Sequence, residues 1–258
     1  MTDGMTANLT GQAIKLIRAA GRIIVFTGAG ISTESGLPDF RSAGGIWDRF
    51  DPDDFTYDKF LSEPRTRRLW WNLIREGSLS TEVKPNAAHY AIAELHQQGK
   101  LAAVITQNID NLHQTAGVPD EIVFELHGNL KRATCLRCGR EYGYAEIRDE
   151  IERATDGPQC RDCGDVLKPN IVFFGEALPE EVFTAASRTA ETADVCIVIG
   201  STLIVYPAAD IPLRALQAGA RLIIINLSPT PLDHQADVVI NARAGETMRR
   251  IMDNLAGN

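Results

Sequence analysis

Polar side chains that can move or hold charge sit where short apolar runs end. Residues 101–106 lead into Gln107-Asn108-Ile109-Asp110, and residues 122–126 lead into His127-Gly128. An imidazole titrates near neutrality, so His127 suits general-base work. Amide and carboxylate groups at a strand's carboxyl end can aim hydrogen bonds at a ligand. The same residues have structural uses: a histidine can be a satisfied core group, and Asn108 or Asp110 can cap a helix. Gly28-Ala29-Gly30 follows the run 22–27, a placement that lets backbone close on a pyrophosphate. The usual dinucleotide pattern is broken, however. Thr33 stands where a third glycine belongs, glycine comes only at Gly36, and the ribose-binding acid expected later has no counterpart.

Four cysteines form two knuckles, Cys135-x-x-Cys138 and Cys160-x-x-Cys163. Four thiolates close a tetrahedral zinc shell, and such an ion holds structure rather than doing chemistry. Gly139 and Gly164 follow the knuckles and permit the tight turn that brings amides to sulfur. Two disulfides, or a redox pair, are the competing reading. Cys196 stands alone in an apolar run and reads as a small buried hydrophobe.

These residues need elements to hold them. Thr10 caps a helix over 11–20, followed by a strand at 22–27. Pro85-Asn86 cap a helix reaching Gln98 and stopped by Gly99, before a strand at 101–106; another strand covers 122–126. Pro179 starts a helix to Ala193 ahead of a strand at 195–199. A helix over 207–218, strands at 221–225 and 238–240 and a helix over 245–255 complete the series. Strands apolar on both faces, alternating with helices, indicate an α/β fold: a doubly wound, mostly parallel (Rossmann-like) sheet whose ligands meet the strands' carboxyl ends. Two stretches interrupt the alternation: 39–84, rich in aromatics, and 129–169, with the knuckles. The expected organisation is a Rossmann-like domain of residues 10–38, 85–128 and 170–256, with a smaller inserted module built from a helical part (39–84) and a zinc-binding part (129–169).

Composition narrows the partners. The chain has 258 residues, 44% hydrophobic, with 26 Lys+Arg against 34 Asp+Glu and a formal charge of −8. This length buries a core without disulfide help. The acidic balance argues against nucleic acid and suits basic peptides. No apolar run approaches the ~18 residues that span a bilayer, and MTDGMTANLT lacks a signal-peptide pattern. No membrane association and a cytoplasmic location are expected.

Several longer motifs occur in a fixed order: GAGIS (28–32), GLPDFRS (36–42), TQNID (106–110), LHG (126–128), the two knuckles and KPNIVFFGE (168–176). Gly200-Ser201-Thr202, Val205-Tyr206-Pro207 and Asn226-Leu227-Ser228 follow. Over residues 10–255 the chain resembles the sirtuins, NAD-dependent protein lysine deacylases, and looks like a bacterial or archaeal member consisting of little more than the catalytic core. The resemblance implies that NAD binds as co-substrate between sheet and module. The acyl oxygen of an acyl-lysine then attacks the ribose carbon bearing nicotinamide, and an alkylamidate intermediate proceeds with water to O-acyl-ADP-ribose and free lysine.

By the same resemblance, His127 is the base on the ribose hydroxyls, Asn108 lies near the ribose and the attacking water, and Gln107 orients the ribose. Ile109 and Asp110 hold the nicotinamide carboxamide. Gly28, Ala29, Gly30, Ser32, Asp39, Phe40 and Arg41 belong to a flexible cofactor loop, with Phe40 shielding the reacting carbon and Arg41 near phosphate. Gly200, Ser201 and Thr202 match a phosphate- and ribose-binding turn; Asn226, Leu227, Ser228 and Ala244 serve the adenosine end. Val172 and Phe174 line the acyl-lysine tunnel, while Gly175-Glu176 and Val205-Tyr206 match strands that sandwich an extended substrate peptide. Cys135, Cys138, Cys160 and Cys163 hold one structural zinc. Sirtuins preferring succinyl or malonyl lysine carry a Tyr-x-x-Arg pair in the module. Residues 68–75 have no tyrosine; Arg75 or Arg68 could still serve a carboxylate, but Trp70 and Trp71 favour a neutral acyl group such as acetyl, although helix packing is the simpler role for both. Mono-ADP-ribosyl transfer, a non-catalytic NAD or ADP-ribose sensor and an ordinary dehydrogenase are the alternatives. Oligomeric state is not encoded in these motifs.

Overall fold

Successive residues of the apolar runs point to opposite sides of one sheet. The computed structural model describes residues 2–76, 83–153 and 156–256; positions 77–82 and 154–155, inside the expected 39–84 and 129–169 parts, lie outside the described residues. In chain order, α1 (Thr2–Ala19) precedes β1 (Ile23–Thr27). Next come α2 (Tyr57–Ser62), α3 (Pro64–Arg75), α4 (Ala87–Gln97), β2 (Leu101–Thr106), α5 (Leu112–Thr115) and β3 (Val123–Glu125). After these, β4 (Gly128–Cys135), β5 (Glu141–Gly143), α6 (Arg148–Arg153) and β6 (Leu167–Ile171) build the insertion. The chain closes with α7 (Glu180–Ala190), β7 (Val195–Ile199), α8 (Asp210–Gln217), β8 (Arg221–Ile225), β9 (Val238–Ile240) and α9 (Ala244–Ala256).

Six strands form the main sheet in the order β3-β2-β1-β7-β8-β9, every pairing parallel. This is the doubly wound order. The chain steps outward from β1 to β3, then returns to the other side of β1 with β7, so a crevice opens where β1 and β7 end. Period-2 alternation sorts the side chains. Ile23, Val25, Ile197, Ile199 and Ile223 pack on Ile17, Ile92, Met248 and Ile251 of α1, α4 and α9. Ile24, Phe26, Ile105, Cys196 and Val198 face Ala186, Ala190, Ile211 and Ala215 of α7 and α8. Burial pushes the Cys196 thiol up to about 12, in keeping with a small hydrophobe.

A second, antiparallel sheet, β5-β4-β6, carries the module. Trp71 of α3 joins Tyr142, Ile147 and Leu167 around the cysteines. Its neighbour Trp70 joins Phe55, Phe60, Leu130 and Phe173 in a separate cluster. The two interrupting stretches therefore share cores. Among the described residues no helix is long and apolar enough to cross a membrane.

The first helix differs from expectation. Thr10 lies inside α1, its hydroxyl donating to the Thr6 carbonyl at 2.8 Å. That bond satisfies the hydroxyl within the helix, so Thr10 does not begin one. Helix α7 stops at Ala190 and α8 begins at Asp210, each trimmed relative to the pattern. Asn86 caps α4 as anticipated, accepting the Ala88 N–H at 2.9 Å.

Two buried histidines lie beneath β1 and β2. His89 and His113 are 0% and 1% exposed, with ring centroids 5.0 Å apart. His113 Nε2 meets Thr27 Oγ1 at 2.9 Å, Thr27 Oγ1 donates to Thr106 Oγ1 at 2.8 Å, and Thr106 Oγ1 also accepts the Asn108 N–H at 3.0 Å. Burial pulls His89 down to about 4. It pulls His113 well below the usual value too, with the neighbouring His89 adding to the effect. In the unfolded chain both would protonate near 6.5, so below that pH the unfolded state binds more protons and stability is lost as pH falls. His89 alone costs about 2 kcal/mol between pH 7 and pH 5. Urea unfolding should show a midpoint that drops steadily across this window; an unchanged midpoint would contradict the assignment of neutral buried imidazoles.

Candidate active site

Just past their carboxyl ends, the chain segments after β1 and β7 lie in direct backbone contact. The Gly28 N–H donates to the Ile199 carbonyl at 3.1 Å, and the Gly30 N–H to the Gly200 carbonyl at 2.9 Å. A Cβ at Gly28 or Gly30 would stand 2.8 Å from the Gly200 oxygen, and Gly200 itself has φ +65°. No side chain fits here, so backbone faces the crevice directly. A cleft of about 930 Å³ opens over it, bounded on the far side by the module. All the cofactor- and peptide-binding residues anticipated above line this one cleft. Its volume falls within the range of small-molecule sites, and the buried polar groups converging on it suit a dinucleotide.

The end of β2 supplies two of them. Asn108 and Asp110 are each 8% exposed. Asn108 Nδ2 donates to the Gly28 carbonyl and to Ser32 Oγ, both at 3.2 Å. Asp110 accepts from Ser32 Oγ at 2.7 Å and from the Leu112 N–H at 3.0 Å. Burial raises its pKa, and these hydrogen bonds oppose the rise. Lone pairs remain on the carboxylate for a further donor.

His127 follows β3. Its Nδ1 lies 2.9 Å from the Gln107 carbonyl. A carbonyl only accepts, so Nδ1 carries the proton and Nε2 presents its lone pair. Burial lowers the His127 pKa while the Gln107 carbonyl bond raises it, with a net lowering that keeps the ring neutral at pH 7. The side chain of the same Gln107 donates to Ser201 Oγ at 2.8 Å, joining the β2 end to the β7 turn. At the adenosine end assigned by resemblance, Asn226 Nδ2 donates to the Ser228 carbonyl at 2.7 Å.

The loop after β1 is shaped from within. Asp39 accepts the backbone N–H groups of Arg41 and Ser42 at 2.9 and 2.7 Å. Phe40 packs on Trp47 with ring centroids 5.2 Å apart, and Trp47 reaches Phe174 at 5.8 Å. The peptide segments differ from expectation: neither 175–176 nor 205–206 is a strand. A strand needs a partner for its ladder bonds. Here Gly175 turns at φ +82°, and Val205 gives its carbonyl to the Ala209 N–H at 2.9 Å. The tryptophans divide: Trp70 lines the cleft, whereas Trp71 packs in the cysteine core. Arg68 is drawn away to Asp156 at 2.7 Å, and neither it nor Arg75 lines the cleft.

Sequence reasoning missed several lining residues. Glu34 accepts the Gly245 N–H at 3.0 Å and ties the cofactor loop to the start of α9. Arg243 lines the cleft beside Ala244. A single charged residue in a loop leaves no periodic or spacing signal.

The four knuckle cysteines also converge, away from the cleft. Their sulfurs all lie within 4.8 Å of one another, with Cys135–Cys163 at 3.4 Å and Cys138–Cys160 at 3.6 Å. Disulfide sulfurs would be about 2 Å apart, whereas four thiolates around zinc at about 2.3 Å have edges of roughly 3.8 Å. The donor set fits one zinc ion with every position filled by protein. Gly139 and Gly164 have φ +72° and +73°, and their N–H groups return to the Cys135 and Cys160 carbonyls at 3.0 and 2.9 Å. Tyr142 OH lies 3.2 Å from Cys160 Sγ and accepts the Arg161 N–H at 3.1 Å, and a Cys160 thiolate, which only accepts, takes the tyrosine proton. This bond draws the Cys160 thiol down to about 6.

Comparison with known proteins agrees with this geometry. The profile described as Sir2 family matches residues 28–207. "NAD-dependent protein deacetylase 1" of Pyrobaculum aerophilum is 43% identical over 257 residues, covering 100% of this chain and 99% of that relative. A solved Sir2 variant with deacetylated p53 peptide and 3'-O-acetyl ADP-ribose superposes with a TM-score of 0.87 at 40% identity, covering 95% of this chain and 98% of that one. A Sir2–p53 peptide–NAD+ structure gives 0.84 at 39% identity, covering 94% and 97%.

Replacing Cys138→Ser should abolish the single equivalent of bound zinc and lower the melting temperature by roughly 10 °C or more, because zinc binding contributes folding energy. Metal analysis and calorimetry check this; unchanged zinc and melting would remove the four-thiolate site.

Proposed function

This chain belongs to the Sir2 family, and from that premise we infer that it is an NAD-dependent protein lysine deacetylase. It passes the acyl group of an acyl-lysine to ADP-ribose and releases nicotinamide and free lysine. The observation that carries this reading is His127, a half-buried neutral imidazole with Nδ1 protonated and Nε2 free, sharing one cleft with Asn108 and Asp110. A protein that only sensed NAD would need no such base.

NAD supplies the ADP-ribosyl group and the nicotinamide leaving group. Gly28, Gly30 and Gly200 let the pyrophosphate approach bare backbone, while Ser201, Asn226 and Ser228 meet the ribose and adenosine hydroxyls. Asp110 accepts from the carboxamide NH2, Asn108 fixes the nicotinamide ribose and a water, and Phe40 closes over the reacting carbon. His127 Nε2 takes the proton from a ribose hydroxyl, so the acyl group can move to that oxygen. The lysine enters past Val172 and Phe174, with the peptide extended between 175–176 and 205–206. Trp70 at the cleft wall, with Arg68 and Arg75 outside the cleft lining, favours neutral acyl groups. Segments 10–38, 85–128 and 170–256 hold NAD, and 39–84 with 129–169 close over it. Four cysteines kept as thiols support a cytoplasmic location, since thiolates persist in a reducing compartment.

Purified protein should release nicotinamide and free lysine one for one, only with both NAD and acetyl-lysine peptide present. His127→Ala should lower kcat/KM by about 10²–10⁴-fold. Full turnover by that variant would refute the base, and NAD label retained on protein would instead support mono-ADP-ribosyl transfer. Because His127 titrates below its ordinary value, the acidic limb of kcat/KM in the wild type should lie below pH 6.5, with activity lost as pH falls. A limb centred above pH 7 would sink this assignment.

A further inference from the structure

One buried cation lies beneath the segment assigned to the peptide. Lys168, on β6, is 8% exposed. Its ammonium donates to the Ile171 carbonyl at 2.7 Å and to the Pro169 carbonyl at 3.3 Å, and pairs with Glu176 Oε1 at 3.0 Å. These three contacts use all three of its protons. The ammonium also sits 4.8 Å from the Phe173 ring centroid and 5.7 Å from that of Tyr57. Glu176 turns its other oxygen to the Phe173 N–H at 2.9 Å, and the Glu176 N–H returns to the Phe173 carbonyl at 3.0 Å. The Val172 N–H meanwhile bonds the His127 carbonyl at 2.9 Å. Residues 171–176 are thus folded around one ammonium, while Val172, Phe174, Gly175 and Glu176 line the cleft.

A buried ion pair of this kind costs desolvation and stabilises poorly by itself. What it does here is geometric: it sets the turn that continues from His127 to the peptide edge. We propose that Lys168 is a positioning residue for the acyl-lysine substrate, its ammonium holding the 171–176 turn ready to receive the extended peptide. This rests on the deacetylase reading above. Lys168 does not line the cleft; it acts through Glu176 and the Ile171 carbonyl.

The test measures steady-state kinetics with an acetyl-lysine peptide and NAD for the wild type, Lys168→Met and Lys168→Arg. Zinc content and melting temperature are measured alongside. Lys168→Met should raise the peptide KM about tenfold or more, with kcat within about threefold and the NAD KM and zinc content unchanged. Lys168→Arg keeps the charge and should recover part of the loss. An unchanged peptide KM in a folded Lys168→Met, or an equal rise in the NAD KM, would overturn the proposal. Hydrogen exchange on the peptide-free wild type tests, without any variant, whether the turn is preformed. The Phe173 and Glu176 amides should be protected about 100-fold or more over open chain; exchange at open-chain rates would refute a preformed turn. Absence of wild-type turnover would refute the deacetylase reading instead, leaving the exchange result to judge the turn.

Discussion

Where β1 and β7 end, two backbones meet with only hydrogen atoms between them. Gly30 donates to the Gly200 carbonyl, and neither position accommodates a Cβ. This close approach follows from the parallel order of the sheet, which places two carboxyl ends side by side and then sends their chains apart. The remaining site builds outward from it. Asn108 reaches the Gly28 carbonyl, Gln107 bridges to Ser201, and His127 hangs on the Gln107 carbonyl. A side chain at Gly28, Gly30 or Gly200 would collide with the facing backbone and force this junction to shift.

The two cores divide the labour. The sheet and its flanking helices give a rigid floor, since the central strands are buried on both faces. The module joins two sequence-distant insertions through Trp70 and Trp71, adjacent residues that serve different clusters. The cysteine site anchors one cluster and the Lys168–Glu176 pair borders the other. The four-thiol cluster and the buried Lys168 ammonium thus stand beside different hydrophobic clusters of the same module.

Much of the fold is legible along the chain because its signals are local. Apolar runs bounded by glycine mark β2, β7 and β8 at their observed limits. Asn86 announces α4 through its cap. Thr10 misleads because a threonine hydroxyl bonds equally well to the preceding turn inside a helix. Segments 175–176 and 205–206 carry no strand, since pairing depends on a neighbour that the segment itself does not contain.

Residue identity and order by themselves determined which groups are available: four thiols with knuckle spacing, a strand-end histidine, and glycines just past the ends of β1 and β7. The tertiary structure decided what their protons do. Only the fold places a carbonyl against His127 Nδ1 and so frees Nε2, points Tyr142 at Cys160, and buries His113 beside His89. Only the fold, too, wraps residues 171–176 around Lys168. Hydrogen-bond direction and desolvation depend on groups brought together from distant parts of the chain, and linear spacing carries no record of them.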